Sequence, residues 1–270
     1  MKDFTYIDIH SHLNDPRFNA DLPETLARMR ESAVASIVVG TDRAMSERAI
    51  ALAEKHNDLW ATIGQHPTDN HEEEFDEAWY REQMKHPRVV GVGECGLDYF
   101  RLDKFSGNKD AEVDRQQELF ETQMILAAEA DKPLMIHGRP TPGTMDAYED
   151  LIYILENGQK KYGDKVRGNI HFFVGNIAIA KQLLDLGFTM SFTGVLTFTH
   201  DYDEVVQYLP LDCIMSETDA PYVAPTPHRG KRNEPAFVVE TVKAIARIRV
   251  EDEGVVGEAL MANARRMFKI

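Results

Sequence analysis

The hydrophobic and polar positions along the chain fall into two alternating rhythms. Residues 6–9 alternate apolar and polar like a strand, and the stretch ends at the turn formers Asn14-Asp15-Pro16. Short apolar runs at 35–40, 60–64, 88–94, 132–137, 166–173, 188–193 and 213–217 read as further strands. Longer amphipathic stretches separate them and predict helices over 22–32, 42–56, 72–85, 110–130, 144–160, 176–186 and 202–209. Two more helices, 234–249 and 252–268, finish the chain. Strict alternation of this kind predicts an α/β protein with a parallel sheet, and eight units predict a (β/α)8 barrel of the TIM type. An open doubly wound sheet is the alternative, but Ser11-His12-Leu13-Asn14 stands where that fold would carry a glycine-rich turn. No linker, low-complexity stretch or repeat divides the chain, so one domain over 1–270 is expected.

In a barrel the strand ends open onto one face, where active sites of this fold lie. His10 and His12 end the first strand, and at this spacing both project from the same face. Glu94 ends the fourth, His137 the fifth, and His171 lies near the end of the sixth; Asp219 directly follows the eighth. Ordinary polar loop residues could occupy any one of these places. Six together are hard to explain by packing, because buried ionisable groups are costly unless paired or ligated. Four histidines and two carboxylates suit a dinuclear site for zinc, manganese or a similar ion, with magnesium possible where carboxylates and water dominate.

Motifs spanning nearly the whole chain resemble, in order, those of the TatD family of metal-dependent hydrolases. They are His10-Ser-His12, Gly64-Gln-His66-Pro67, Gly93-Glu94-Cys-Gly-Leu-Asp98-Tyr99, Ile136-His137-Gly-Arg139, His171-Phe-Phe and Ser191-Phe-Thr-Gly194. Glu217-Thr-Asp219-Ala-Pro221-Tyr222, Arg229-Gly-Lys-Arg-Asn-Glu-Pro235 and Asn263-Ala-Arg-Arg-Met-Phe268 complete the series. The resemblance implies a distorted barrel, two divalent metal ions and hydrolysis, and the best-known members are deoxyribonucleases that often work from a 3′ end with magnesium. By residue-wise carry-over it implies that Glu94 bridges the two ions. His10, His12 and Asp219 would hold one ion, and His137 and His171 the other. The chain departs from the family at Pro140-Thr-Pro142-Gly143, where an acidic residue and alanine usually follow the arginine. It departs again at Phe172, where a cysteine often stands, and 101–110 is longer than usual.

Two ions bridged by a carboxylate can share a water, lower its pKa and stabilise charge on a phosphoryl oxygen. Asp219 is the candidate to take the proton from that water. His66 acts on the leaving group from just outside the ligand set, or else packs at its His-Pro turn. Arg139, beside a ligand, and Arg229, the first cation after the Asp219 turn, are candidate phosphate contacts. Lys231 and Arg232 complete a basic cluster that is otherwise a solvated loop. Cys95 should face away from the site, and the 261–268 stripe should be core.

Charge and composition narrow the reading. A net charge of -15 argues against a surface that holds nucleic acid by charge alone, so local cations and metals must do it. There is no apolar run long enough to span a membrane, and Met1-Lys2-Asp3 leads at once into a strand, without room for a signal peptide. Two cysteines are no disulfide framework, which points to the cytoplasm. No obligate protein partner is indicated. The expected activity is therefore a divalent-metal-dependent phosphodiesterase acting on DNA ends. A barrel hydrolase of a C–N or ester bond in a small metabolite is the alternative; many such enzymes use a carbamylated lysine as the bridge, where this chain has Glu94. A non-enzymatic binding protein on the same fold is the third reading.

Overall fold

The computed structural model describes residues 4–102 and 108–270. Among these, β1 (Tyr6–Ser11), β2 (Val34–Val39), β3 (Leu59–Ile63), β4 (Val89–Asp98), β5 (Leu134–Arg139), β6 (Gly168–Ile170), β7 (Thr189–Phe192) and β8 (Ile214–Ser216) form one sheet in sequence order. Each neighbouring pair is parallel. The crossovers carry α1 (Leu22–Glu31), α2 (Arg43–Lys55), α3 (Glu77–Gln83), α4 (Lys109–Glu129), α5 (Asp146–Tyr162), α6 (Ile177–Asp185) and α7 (Asp203–Tyr208), with α8 (Val238–Arg249) and α9 (Glu253–Phe268) last. The ring closes from β8 back to β1. Ser216 Oγ donates to Ile7 O at 3.1 Å, and beyond the strands Asp219 N donates to His10 O at 2.9 Å and His12 N to Ala220 O at 2.7 Å. This is the (β/α)8 barrel that the alternation predicts.

The fold is held by two apolar layers. One lies between strands and helices and includes Cys95, which faces away from the barrel axis as its position after Glu94 implies. The other joins Ile7, Ile37, Val90, Met135 and Met215, from strands all round the ring, to Met261, Ala264 and Phe268 of α9. The closing apolar stripe of the chain thus plugs the barrel from below. Helix starts follow cap chemistry: Asp42, Asp76, Asn108, Asn176 and Asp252 each accept a backbone N–H of the first turn.

Two elements differ from expectation. The acidic helix expected at 72–85 is only Glu77–Gln83. Glu73 and Asn70 bond to each other and Asp76 caps Trp79 N at 3.0 Å, so the chain enters the helix late. The fourth strand, expected to stop at Glu94, continues to Asp98. It does so by pairing Gly96 with His137 and Asp98 with Arg139 across β5. Glu94 therefore stands in mid-strand. Of the long segment 101–110, residues 103–107 lie outside the described residues.

Gly96 makes the strand extension possible. Its φ is +141°, and a Cβ there would sit 2.0 Å from the His137 carbonyl oxygen. Gly96→Ala should therefore cost more than about 3 kcal/mol of unfolding free energy. Gly187→Ala, at φ +77° after the end of α6 with open space around it, should cost about 1 kcal/mol. Urea titration of both variants checks this; equal losses would remove the close β4–β5 approach as the cause.

Candidate metal centre

The side chains that could bind a metal come from strand ends and, for Glu94, from mid-strand, and two of those strands are bulged. Between Asp8 and Ser11 of β1, and between Val92 and Cys95 of β4, the register slips against the neighbouring strand. Bulges re-aim side chains, and these two direct His10 and Glu94 toward the mouth of the barrel. Asp219 enters from a left-handed backbone conformation, φ +55°. Two further residues of the same wall, Phe172 and Val223, are also left-handed, at φ +45° and +49°. Such conformations cost on the order of 1–3 kcal/mol each and persist where surrounding structure imposes them. Here Glu217 fixes Phe172 through its N–H at 2.7 Å, and the His10 carbonyl fixes Asp219.

The six sequence-predicted ligands meet around Glu94. Its Oε2 lies 3.4 Å from His10 Nε2 and 3.7 Å from His12 Nε2, and Asp219 Oδ1 lies 3.3 Å from His12 Nε2. Its Oε1 lies 3.0 Å from His137 Nδ1 and 2.9 Å from His171 Nε2. Each carboxylate oxygen thus faces its own set of donors. His10 Nε2 and His12 Nε2 are 3.2 Å apart, with their ring nitrogens turned toward each other. Metal–ligand bonds of about 2.0–2.2 Å place neighbouring donors roughly 2.8–3.6 Å apart, so this cluster has the spacing of a cation's coordination shell. Burial alone would raise the Glu94 carboxyl, but His171, His66 and His10 hold it well below the usual carboxylate range. It is an anion ready to ligate. Asp219 is likewise lowered against its burial, by His12 and His10.

His66 is brought to the same place, its Nε2 3.5 Å from Glu94 Oε1, but it differs in tautomer. Its Nδ1 accepts the backbone N–H groups of Thr68 and Asp69, each at 3.2 Å. In the neutral ring the proton must then sit on Nε2, which makes that atom a donor and not a metal ligand. Burial lowers its pKa to about 4, so the ring is neutral at physiological pH. Three of the other rings have an oxygen near their outer nitrogen, an arrangement that would leave a lone pair toward the centre. His12 Nδ1 faces Val39 O at 3.3 Å, His137 Nε2 faces Asp98 Oδ2 at 3.3 Å, and His171 Nδ1 faces Glu217 Oε1 at 3.4 Å.

Three supporting carboxylates had no role in the sequence reading. Asp98 and Glu217 are fully buried behind His137 and His171. Asp8 accepts Thr218 N at 2.9 Å, Thr218 Oγ1 at 2.6 Å and His10 N at 3.2 Å, tying the first ligand strand to the turn that carries Asp219. Burial pushes its pKa well up despite these bonds. An acid inside an apolar strand was the available signal for Asp8. For Asp98 and Glu217 only their motifs pointed to them.

The cluster forms the floor of a cavity of about 980 Å³. Its wall includes Arg139, the Pro140–Thr144 turn, Phe100 and Tyr222. Arg139 has no carboxylate partner among the described residues; its guanidinium lies 3.9 Å from the Phe100 ring centre. Arg229 is not part of this wall. It donates to Ala224 O at 3.0 Å and covers Phe198. Arg232 is bound to Asp21 and Glu234 and is a structural ion-pair residue.

Acids behind ligating imidazoles orient the ring and raise its basicity. Asp98→Asn and Glu217→Gln should each weaken divalent-ion affinity roughly 10–100-fold with the fold retained. Competition against a chromophoric chelator measures this. Unchanged affinity in both variants would show that these acids serve packing alone.

Comparison with known proteins agrees with the geometry. Residues 7–269 match the family model described as TatD related DNase. An uncharacterised metal-dependent hydrolase of Bacillus subtilis, YabD, is 36% identical, over 97% of this chain and 98% of that one. A protein of Erwinia tasmaniensis named 3'-5' ssDNA/RNA exonuclease TatD is 32% identical, over 97% of this chain and 99% of that one. The crystal structure of the TatD homologue YjjV of Escherichia coli superposes with a TM-score of 0.86 at 27% identity, covering 98% of both chains. With its barrel, its motif order and its full-length match, the chain belongs to the TatD family of metal-dependent hydrolases.

Proposed function

We propose that the protein is a two-metal phosphodiesterase that removes nucleotides from the 3′ end of single-stranded DNA, with RNA as a second substrate. The observation that carries this reading is the division of donors around Glu94, one oxygen toward His10 and His12, which Asp219 also adjoins, and the other toward His137 and His171. The name of the Erwinia relative supports the substrate class and polarity. Two divalent ions held there, Mg, Mn or Zn, would supply a nucleophilic water at neutral pH and neutralise charge on the phosphoryl oxygens. Asp219 accepts the proton of the attacking water. His66 donates its Nε2–H to a phosphoryl or leaving oxygen, a role set by its fixed tautomer. Arg139, which meets no acid among the described residues, holds a neighbouring phosphate from the cavity wall. Arg229, further out, holds one more distant. The whole chain, 1–270, acts as one barrel domain in the cytoplasm. Among the described residues no helix is long and apolar enough to cross a membrane.

End-labelled single strands, duplexes and RNA, run beside a panel of simple esters and amides, test the reading. Stepwise loss from the 3′ end of single strands is expected. Turnover confined to small esters or amides would replace it with the small-metabolite alternative.

The metal-loaded protein should hold about two ions per chain, and chelation should abolish turnover. Glu94→Gln should keep its fold by circular dichroism, lose ions and lose activity, because the amide cannot bridge as an anion. Full ion content in that variant would show that Glu94 is not the bridge. Arg139→Ala should raise KM for oligonucleotides about 10- to 100-fold, the worth of a charge-assisted contact of roughly 1.5–3 kcal/mol. Arg229→Ala should have a smaller effect that disappears on dinucleotides.

A further inference from the structure

Most large apolar side chains of this protein are buried, yet two aromatic rings stand open at the mouth of the metal cavity. Phe100 and Tyr222 are each 47% exposed, and both line that cavity. Phe100 follows β4 and Tyr222 follows β8. In a ring of eight strands in sequence order these are four places apart, so the two residues stand on opposite sides of the mouth. Each ring has an arginine against one face. Arg139 lies 3.9 Å from the Phe100 centre and Arg17 lies 4.4 Å from the Tyr222 centre. Arg17 is itself held by Asp15 at 2.6 Å, so its charge is already paired and its effect is to fix the tyrosine ring. The Tyr222 ring centre is 6.1 Å from that of His12, immediately beside the donor cluster. Of the other exposed apolar residues, Tyr153, Val250 and Val255 lie on outer helices and their ends, and Phe198 follows β7.

An aromatic ring with one face backed by a guanidinium and its remaining surface in water is a platform for a flat π system. We propose that Phe100 and Tyr222 are stacking platforms for the two nucleobases that flank the reacting phosphate, one on each side of the metal cluster. This rests on the phosphodiesterase reading of the cavity. It adds a requirement that the ions alone do not impose: both bases must be unpaired to reach their rings, so a duplex end has to open before it is cut. It also makes recognition tolerant of base identity, since every base has a π face. The Arg229–Phe198 pair, built in the same way with Phe198 43% exposed, would take a base further along the strand.

The test compares a short single strand with the same strand made abasic at the two nucleotides beside the cleaved bond, using the metal-loaded full chain. On the normal strand, Phe100→Ala and Tyr222→Ala should each raise KM roughly 5- to 100-fold, with the larger part of the effect in KM and not in kcat. On the abasic strand those penalties should shrink to less than about twofold, because the partner of the ring is gone. The parent protein should itself bind the abasic strand more weakly, a measurement that needs no variant. Phe100→Trp should restore what Phe100→Ala loses, whereas Phe100→Leu, apolar but without a stacking face, should not. Equal penalties on both strands, or a parent indifferent to base removal, would overturn the platforms while leaving the phosphodiesterase reading intact. Absence of turnover on either strand, with metal bound, would overturn that reading and the platforms with it.

Discussion

A carboxylate buried among histidines is the constraint on which the rest of this structure depends. Glu94 is 4% exposed, and each of its oxygens faces nitrogen donors about 3 to 3.7 Å away. An isolated anion at that depth would be strongly disfavoured, so the protein has to keep opposite or coordinating partners around it. It does this with geometry that is otherwise unfavourable. Two strands are bulged, two glycines of β4 adopt φ near +140°, and three non-glycine residues of the wall are left-handed. Behind the rings, Asp98 and Glu217 supply negative charge at the outer nitrogens. The core is ordinary barrel packing; several departures from regular backbone lie where the donors must converge.

The same logic governs how an acidic protein can meet a polyanion. At -15, long-range attraction is against it. Many arginines are held by acids or by backbone carbonyls, as with Arg28 and Arg232 on Glu234 and Arg88 on three carbonyl oxygens. Arg139 and Arg229 are different, because each guanidinium rests on an aromatic ring and meets no acid among the described residues. On the phosphodiesterase reading, positive charge able to meet a phosphate is therefore scarce and local. Contact at short range, and not electrostatic steering, governs how such a protein selects its substrate.

Much of this was legible in the residues alone. Eight apolar runs separated by helical stretches specify a parallel barrel because each strand is buried on both faces, and polar residues at the run ends then stand out. His10, His12, Glu94, His137, His171 and Asp219 were readable for that reason. The length of β4 was not readable, because Glu94 and Gly96 interrupt its apolar run, and only the close approach at Gly96 lets the backbone continue against His137. The helix at 72–85 was overestimated because its acidic run has the composition of a solvated helix, while Glu73 is used in a turn. The role of His66 depended on a tautomer, and a tautomer is set by neighbouring N–H groups whose positions no periodicity reveals. Phe100 gave no pattern and Tyr222 only its place in a motif; that both line one cavity follows from the positions of β4 and β8 in the ring.

The closure of the ring has a temporal meaning as well as a geometric one. His10 and His12 belong to the first strand and Asp219 to the turn after the last, and Asp219 N to His10 O and His12 N to Ala220 O are the bonds that join them. This half of the donor set does not exist until the final strand has docked against the first, some 200 residues away in sequence. A chain still being made, or one that has opened its last strand, offers a cation only scattered histidines. A cation held by this half of the cluster would bind the closed form and add to the stability of that seam.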